Sequence, residues 1–209
     1  MNKPVEKKLI IYLADLDHFL PGNRLHMPLG IGSIASYCKS VYGEAVDIFL
    51  FKDPDELIAE IRRRPPQVLG CSFFMWNTNL MFKMIEACKI ISGQIITVIG
   101  GSSIARHSDN YKKILERHPS LDIIVLDQGE KSFANILKRI IKENYNQESI
   151  FSASIAGCAL RLNKIGQITR GEIVARGVDI NTFPSPYLAG YFDKFLQAGF
   201  VSMLETARG

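Results

Sequence analysis

The feature that most constrains the fold of this 209-residue chain is a regular alternation of apolar stretches and amphipathic segments between residues 8 and 145. We interpret the apolar stretches as five strands, at Lys8–Ala14, Ala45–Phe51, Gln67–Phe74, Ile95–Gly101 and Asp122–Asp127. They are apolar almost throughout rather than polar at every second residue. This pattern is typical of strands that are buried on both faces of a parallel sheet.

The segments between the strands have helical periodicity. In the first of them, Ile31, Ile34, Ala35 and Cys38 follow the spacing i, i+3, i+4, i+7, which places them on one face of a helix. The second begins at Asp53 with an N-cap residue followed by proline, a combination typical of helix starts. Later segments with the same period contain Leu80–Cys88, Asn110–Arg117 and Phe133–Ile141.

Five alternating strand–helix units predict an α/β fold with helices on both faces of the sheet. We expect a flavodoxin-like (Rossmann-type), doubly wound, parallel five-stranded sheet in the order 2-1-3-4-5. From Ile155 to Arg170 the pattern predicts a β-hairpin with its connection at residues 163–166, followed by an irregular linker containing a short helix within Tyr191–Phe200. The predicted division is an α/β domain at 1–148 and a hairpin with linker at 149–209.

Composition argues against several classes of partner. The net charge is only +4 and the basic residues are scattered, which disfavours nucleic-acid binding. The apolar run Leu9–Ala14 ends at Asp15, too early for a membrane helix or signal peptide. The four cysteines lack the close spacing of zinc or cluster motifs, so we expect buried thiols in a reducing, cytoplasmic compartment and assign no metal ligand.

Unusual residues follow the strands that meet where the sheet order reverses, which is the usual ligand position in such folds. Ser72 interrupts an apolar run, and Trp76, the only tryptophan, follows it in the loop after the third strand. The fourth strand ends in Gly100-Gly101-Ser102, whose glycines would let a ligand approach the backbone. The structural alternatives are a tight turn at the glycines and a tryptophan that covers the core.

The loop after the first strand is long and polar, with Asp15, Asp17, His18, Arg24 and His26. It leads into the first helix at Pro28-Leu29-Gly30-Ile31-Gly32, and two glycines at a helix start can bind an anion. The third glycine of a dinucleotide-binding fingerprint is missing, and the chain has no P-loop motif.

Five motifs in this order resemble the cobalamin-binding (B12-binding) domain found at the N-terminus of many radical S-adenosylmethionine (SAM) enzymes. They are Pro28–Ile31 at the first helix, Val98–Gly101 in the turn after the fourth strand, Asp122–Glu130 at the fifth strand, Phe183–Tyr187 in the linker and Glu205–Gly209 at the end of the chain. The last motif is similar to the run before the cysteines that hold a [4Fe–4S] cluster in those enzymes.

The resemblance implies that cobalamin is the cofactor and ligand of this chain. Its nucleotide tail would lie in a slot between sheet and helices, and its corrin ring would lie across the carboxyl ends of the strands. The residues implied in binding are Leu29, Gly30, Ser72, Phe73, Phe74, Trp76, Asn77, Gly100, Gly101, Ser102, Gly129 and Glu130. Ser72, Gly100 and Gly101 would line the slot, while the aromatic residues and Asn77 would lie near or under the ring and Gly129-Glu130 would flank it.

The sequence departs from the family at the cobalt ligand. The family motif Asp-x-His-x-x-Gly is replaced by Asp15-Leu16-Asp17-His18, in which the residue types occur at a different spacing. The resemblance therefore implies no protein ligand to cobalt, and His18 is the one candidate to test.

The chain end implies a fragment without catalysis of its own. The parent would be a methyltransferase or related radical enzyme. Its [4Fe–4S] cluster and SAM would lie in a C-terminal radical SAM domain, the other expected partner.

Two other functions remain open at this stage. A degenerate domain of the same fold would bind no corrin and would act as a docking or substrate-gating part of the radical SAM parent. A receiver-like module would use Asp15, Asp17 and Lys131, but Ser72-Phe73-Phe74 stands where that class needs an aspartate to accept a phosphoryl group.

Overall fold

The computed structural model describes residues 8–18, 25–104, 110–162, 166–175 and 179–205, and these residues form one mixed sheet flanked by helices. The strands are β1 (Leu9–Ala14), β2 (Val46–Phe51), β3 (Val68–Ser72), β4 (Ile96–Gly100), β5 (Ile123–Val125), β6 (Cys158–Arg161) and β7 (Ile168–Arg170). The helices are α1 (Leu29–Tyr42), α2 (Pro54–Arg63), α3 (Thr78–Ile91), α4 (Asn110–Arg117), α5 (Gly129–Lys142), α6 (Gln147–Ile150) and α7 (Asp193–Gln197). Arg24, residues 163–165 of the hairpin connection and residues 206–209 lie outside the described residues.

The sheet has the order β2-β1-β3-β4-β5-β6-β7, and its first five strands are parallel. The predicted order 2-1-3-4-5 is therefore confirmed for the parallel strands. The predicted count of five strands is wrong, because β6 pairs antiparallel with β5 and β7 pairs with β6. This pairing satisfies the open backbone groups of β5, which would otherwise form the edge of the sheet.

The helices cover both faces of the sheet, as predicted. Leu9, Ile11 and Leu13 of β1 pack in one core with apolar residues of α1 and α5. Tyr12 and Ala14, which alternate with them, pack in a second core with residues of α2, α3 and α4. Because side chains of a strand point alternately to its two faces, the continuous apolar runs in the sequence supply both cores.

A local capping signal places the start of α2 correctly. Asp53 precedes α2, and its carboxylate accepts hydrogen bonds from the backbone N–H groups of Asp55 (2.7 Å) and Glu56 (3.2 Å). Pro54 occupies the first position of that helix, where its missing N–H costs nothing. None of the helices within the described residues has the length and apolarity needed to cross a bilayer.

The segment after the hairpin packs on α1. Phe192 is fully buried and lies directly against Gly32 of that helix, where any side chain beyond hydrogen would overlap the phenyl ring. The Ser36 hydroxyl donates to the backbone oxygen of Pro184 at 2.7 Å. The Val201 backbone also pairs with Met27 just before the helix, at 2.9 Å. The short helix predicted within residues 191–200 is present as α7.

Candidate functional site

The carboxyl ends of β1, β3 and β4 form a rim, and most of the predicted site residues lie at or near it. The strand order reverses between β1 and β3, since β1 lies next to both β2 and β3. The loops that follow β1 and β3 leave the sheet in opposite directions, toward α1 and α3 on its two faces. A crevice between such loops is the usual ligand position in open α/β sheets.

Asn77 organises the loop after β3. Its side chain is almost fully buried, and its Oδ1 accepts a hydrogen bond from the backbone N–H of Phe74 at 3.0 Å. Its Nδ2 donates to the backbone oxygens of Ser72 (3.2 Å) and Leu16 (3.3 Å). The side chain therefore ties the loop after β3 to the loop after β1. Because its amide is engaged by the backbone, Asn77 is a positioning residue of the rim.

An aromatic pair projects from this loop. The rings of Phe74 and Trp76 stack in parallel with their centroids 4.6 Å apart, and the Trp76 side chain is 65% exposed. Met75 between them is also exposed. Phe73 differs, because it is buried against Phe82 of α3 with the ring centroids 5.9 Å apart. The structure thus brings Phe74 and Trp76 to the rim and places Phe73 in the core.

Small residues line the face of the sheet below α1 and α5. Ser72 and Gly100 are direct neighbours in the β3–β4 register, and Gly70 lies two residues before Ser72 on the same face. A Cβ atom on Gly70 would lie 2.7 Å from Leu13 and 3.0 Å from Phe133, so the core already occupies that position. Ser72 and Gly100 lie at the carboxyl ends of their strands, so this face of the sheet carries two small residues next to the rim.

The first residues of α1 and α5 close the same face. Gly129 begins α5, and a Cβ atom there would lie 3.2 Å from the side chain of Ile34 on α1. Glu130 follows it and is 5% exposed. At the start of α1, Leu29 packs against the core while Gly30 has open space where a side chain would project. The starts of α1 and α5 thus lie close together at Gly129, while Gly30 faces open space.

The backbone conformation at position 101 requires glycine. Its φ is +150°, and a Cβ atom there would overlap the carbonyl oxygen of Phe73. The Phe73 N–H also donates to the oxygen of Gly100 at 2.7 Å. The tight-turn explanation of this glycine pair thus applies to Gly101, while Ser102 follows it on the exposed surface.

A buried lysine contacts both aspartates that follow β1. Lys52 follows β2, its side chain is 6% exposed, and its Nζ lies 3.4 Å from both Asp15 and Asp17. Burial raises the pKa of the Asp15 carboxyl, and the Lys52 ammonium opposes that rise. Lys52 was not identified from the sequence. A lysine directly after one buried strand and two aspartates directly after the adjacent strand could have indicated this ion pair.

His18 is exposed, and its backbone N–H donates to the Asp17 carboxylate at 2.9 Å. Across the part of the chain that the structure describes, His, Cys, Asp and Glu residues do not form a cluster of three that could hold a metal ion.

Comparison with known proteins decides the family. The model of the family described as "B12 binding domain" matches residues 23–137, which is more than half of the chain and contains β2 to β5, the loops after β3 and β4 and the first part of α5. This chain belongs to the B12-binding domain family. The resemblance predicted from the five motifs is thereby confirmed.

Two curated relatives are similar along most of the chain. One is the cobalamin-dependent radical SAM methyltransferase TokK of Streptomyces tokunonensis, 23% identical over 195 residues. The other is the 2-(S-pantetheinyl)-carbapenam-3-carboxylate methyltransferase of Streptantibioticus cattleyicolor, 24% identical over 196 residues. Each alignment covers 88% of this chain and 27% of the relative, so the chain spans about a quarter of the length of these relatives.

A solved structure has the same fold. The cobalamin-dependent S-adenosylmethionine radical enzyme OxsB, with aqua-cobalamin and S-adenosylmethionine bound, superposes with a TM-score of 0.70 at 20% identity. The match covers 97% of this chain and 27% of OxsB. This B12-binding domain therefore resembles those of cobalamin-dependent radical SAM enzymes in sequence and in fold.

Proposed function

We propose that this domain binds cobalamin at the rim of β1, β3 and β4, as the cobalamin-binding part of a radical SAM enzyme. One observation carries the proposal: the loop that leaves β3 carries a stacked aromatic pair, the half-buried Phe74 and the exposed Trp76, and it begins beside Ser72 and Gly100, two small neighbouring residues at the ends of β3 and β4. A flat aromatic surface next to small residues at the strand ends suits a ligand that has a broad ring and a slender tail.

The aromatic pair supplies contact area for the corrin ring. A corrin is a wide apolar plate edged with amide groups, and stacked aromatic rings are a rigid surface for such a plate. Trp76 is 65% exposed, which is a large exposed fraction for an aromatic side chain. In the proposed complex, ring contact covers this surface.

In the proposed complex the nucleotide tail lies between the ends of β3 and β4 and the helices α1 and α5. Ser72 contributes a hydroxyl there and Gly100 contributes only backbone. Val125 of β5 borders Gly100, 3.2 Å from the position of a Cβ atom, and Gly129 lies equally close to Ile34 of α1, whereas Gly30 leaves open space at the start of α1. A larger side chain at Ser72 would fill the space that the tail needs.

Cobalamin, when bound, supplies a cobalt centre that can carry a methyl group. We propose that no side chain of this domain ligates that centre. Asp15 and Asp17 are held by Lys52, and His18 does not have the family's spacing. Visible spectra of the cobalamin-bound protein and of His18→Ala would be identical if this is correct, whereas a spectral change would identify His18 as a ligand.

The reaction of the parent enzyme follows from its relatives as a proposal. Both curated relatives are methyltransferases, and TokK is a cobalamin-dependent radical SAM enzyme. We propose that the chain acts with a radical SAM domain of its own protein, which would hold the [4Fe–4S] cluster and SAM, in a methyl transfer. The domain by itself would bind the cofactor without turning over a substrate.

The direct test is binding of hydroxocobalamin followed by desalting. We expect the protein to retain the red chromophore in a 1:1 ratio, measured by its absorbance. Trp76→Ala should weaken binding at least about fivefold, since stacking of an aromatic ring contributes about 1 kcal/mol beyond its buried area. Ile90→Ala is the matched control, because Ile90 is 86% exposed at the far end of α3.

The alternative of a degenerate domain predicts a different result. Such a domain would stay colourless after desalting, and an excess of cobalamin would leave its melting temperature unchanged. Cobalamin at about one hundred times its dissociation constant should instead stabilise a binding domain by about 2.7 kcal/mol. Equal weakening by Trp76→Ala and Ile90→Ala would contradict the proposed position of the ring.

A further inference from the structure

A second cavity lies on the opposite face of the sheet from the proposed cobalamin slot. It has a volume of about 290 Å³ and is lined by residues of α3, α4 and the loops that precede these helices. Phe82 of α3 and His118 after α4 form part of its wall, with their rings stacked in parallel at 3.4 Å between centroids. The slot proposed for cobalamin faces α1 and α5, so the two spaces are separated by the sheet itself.

Two exposed basic side chains line this cavity. Lys113 and Arg117 lie four residues apart on α4 and therefore project from the same face of the helix. Neither side chain has a hydrogen bond or an ion pair to any residue that the structure describes. Like charges four residues apart on a helix repel each other weakly, and an anion bound between them would remove that repulsion.

The other groups in the wall are suited to an anionic ligand. Burial lowers the pKa of the His118 imidazole, with Arg117 acting in the same direction and Glu86 of α3 opposing. The imidazole is therefore neutral at pH 7 and can donate a hydrogen bond without adding charge. Ser103 and Thr78 add hydroxyl groups, and a guanidinium matches the geometry of a phosphate or carboxylate with two parallel hydrogen bonds.

We propose that the cavity between α3 and α4 binds a small oxyanion, a phosphate or carboxylate group, through Lys113 and Arg117. The volume admits a small molecule rather than a polymer segment. The site is separate from the cobalamin site and does not rest on the proposed function. Phe73 and Met75 belong to its wall, so an occupied cavity would contact the loop that carries the aromatic pair.

Isothermal titration calorimetry of the whole chain, in a buffer without phosphate and at low salt, tests the proposal. Inorganic phosphate, pyrophosphate and citrate are the probes, and comparing them distinguishes a phosphate from a carboxylate ligand. We expect saturable binding of at least one probe, with an affinity that falls as salt is added. The double variant K113Q/R117Q should bind it at least tenfold more weakly.

The control removes the same charge elsewhere. Arg62 on α2 and Lys138 on α5 are exposed and do not line the cavity, so R62Q/K138Q should change the dissociation constant by less than twofold. Arg117→Lys keeps the charge but loses the paired hydrogen bonds, and it should fall between wild type and K113Q/R117Q. Circular dichroism confirms that each variant is folded.

Three results would overturn the proposal. The first is no saturable binding of any of the three probes by the wild-type chain. The second is an equal loss in the double variant and in the charge-matched control, which would indicate a diffuse effect of net charge. The third is competition between the probe and cyanocobalamin, which would make the cavity a part of the corrin site. Failure of cobalamin binding alone leaves these outcomes unaffected.

Discussion

Replacing Asn77 by alanine should destabilise the whole domain, because this one side chain joins two rim loops. The substitution removes three hydrogen bonds to the backbone, from the N–H of Phe74 and to the oxygens of Ser72 and Leu16. A hydrogen bond contributes about 1 kcal/mol net to stability, and the loss is larger when the remaining partner stays buried. We therefore expect the free energy of unfolding to fall by about 3 kcal/mol.

Urea denaturation followed by far-ultraviolet circular dichroism measures this change. Asn135→Ala is the matched control, since the Asn135 amide makes a single bond to the oxygen of Ala156 at 3.2 Å and should cost only about 1 kcal/mol. The same Asn77→Ala protein should bind hydroxocobalamin more weakly, because the loop that carries Phe74 and Trp76 loses its anchor. A loss of stability below about 1 kcal/mol at Asn77, or one no larger than at Asn135, would refute the reasoning.

Two further predictions concern packing. Gly32→Ala should lower the free energy of unfolding by about 1–3 kcal/mol, because the new methyl group would overlap Phe192. Gly30→Ala, two residues earlier, places its methyl group in open space. That variant should raise the free energy of unfolding by about 0.5–1 kcal/mol, because alanine has the better helix propensity. Urea titrations of the two variants decide this, and equal effects would contradict the packing of residues 183–201 on α1. The four cysteines are buried, and burial raises the pKa of the Cys88 thiol to about 12. The native protein should therefore resist Ellman's reagent from pH 7 to 9 and should react fully in urea. A single thiol that reacts fast in the native protein would disprove this prediction.

The parallel part of the fold was predictable because its signals are local. Apolar runs such as Val68–Ser72 need both faces covered, and Asp53-Pro54 fixes a helix start through its own backbone contacts. The hairpin was predictable as two strands but not as an extension of the sheet. The hairpin pairs with β5 because β5 lies at the edge of the parallel strands, and the position of that edge depends on the assembled sheet.

The loops that carry the candidate site residues were predictable from the sequence, whereas the contacts of the individual side chains were not. The rule for ligands at the carboxyl ends of strands located the loops that carry Trp76 and Gly100. It did not distinguish Phe73, which turns into the core, from Phe74, which reaches the rim. Nor did it indicate that the Asn77 amide is satisfied by backbone, or that Lys52 pairs with the two aspartates. Each of these depends on groups from different strands.

The sequence by itself determined the order of the elements, the burial of the parallel strands and the membership of the B12-binding domain family. These properties follow from periodicity, capping and motif order, which depend on residues close together in the sequence. Only the tertiary structure decided which side of the sheet each rim residue serves. It placed α1 and α5, beside which we propose the cobalamin tail, on the opposite face from the basic cavity between α3 and α4. The physical reason is that successive side chains of a strand point to opposite faces of the sheet. A side chain one residue further along a strand end therefore lies on the other face.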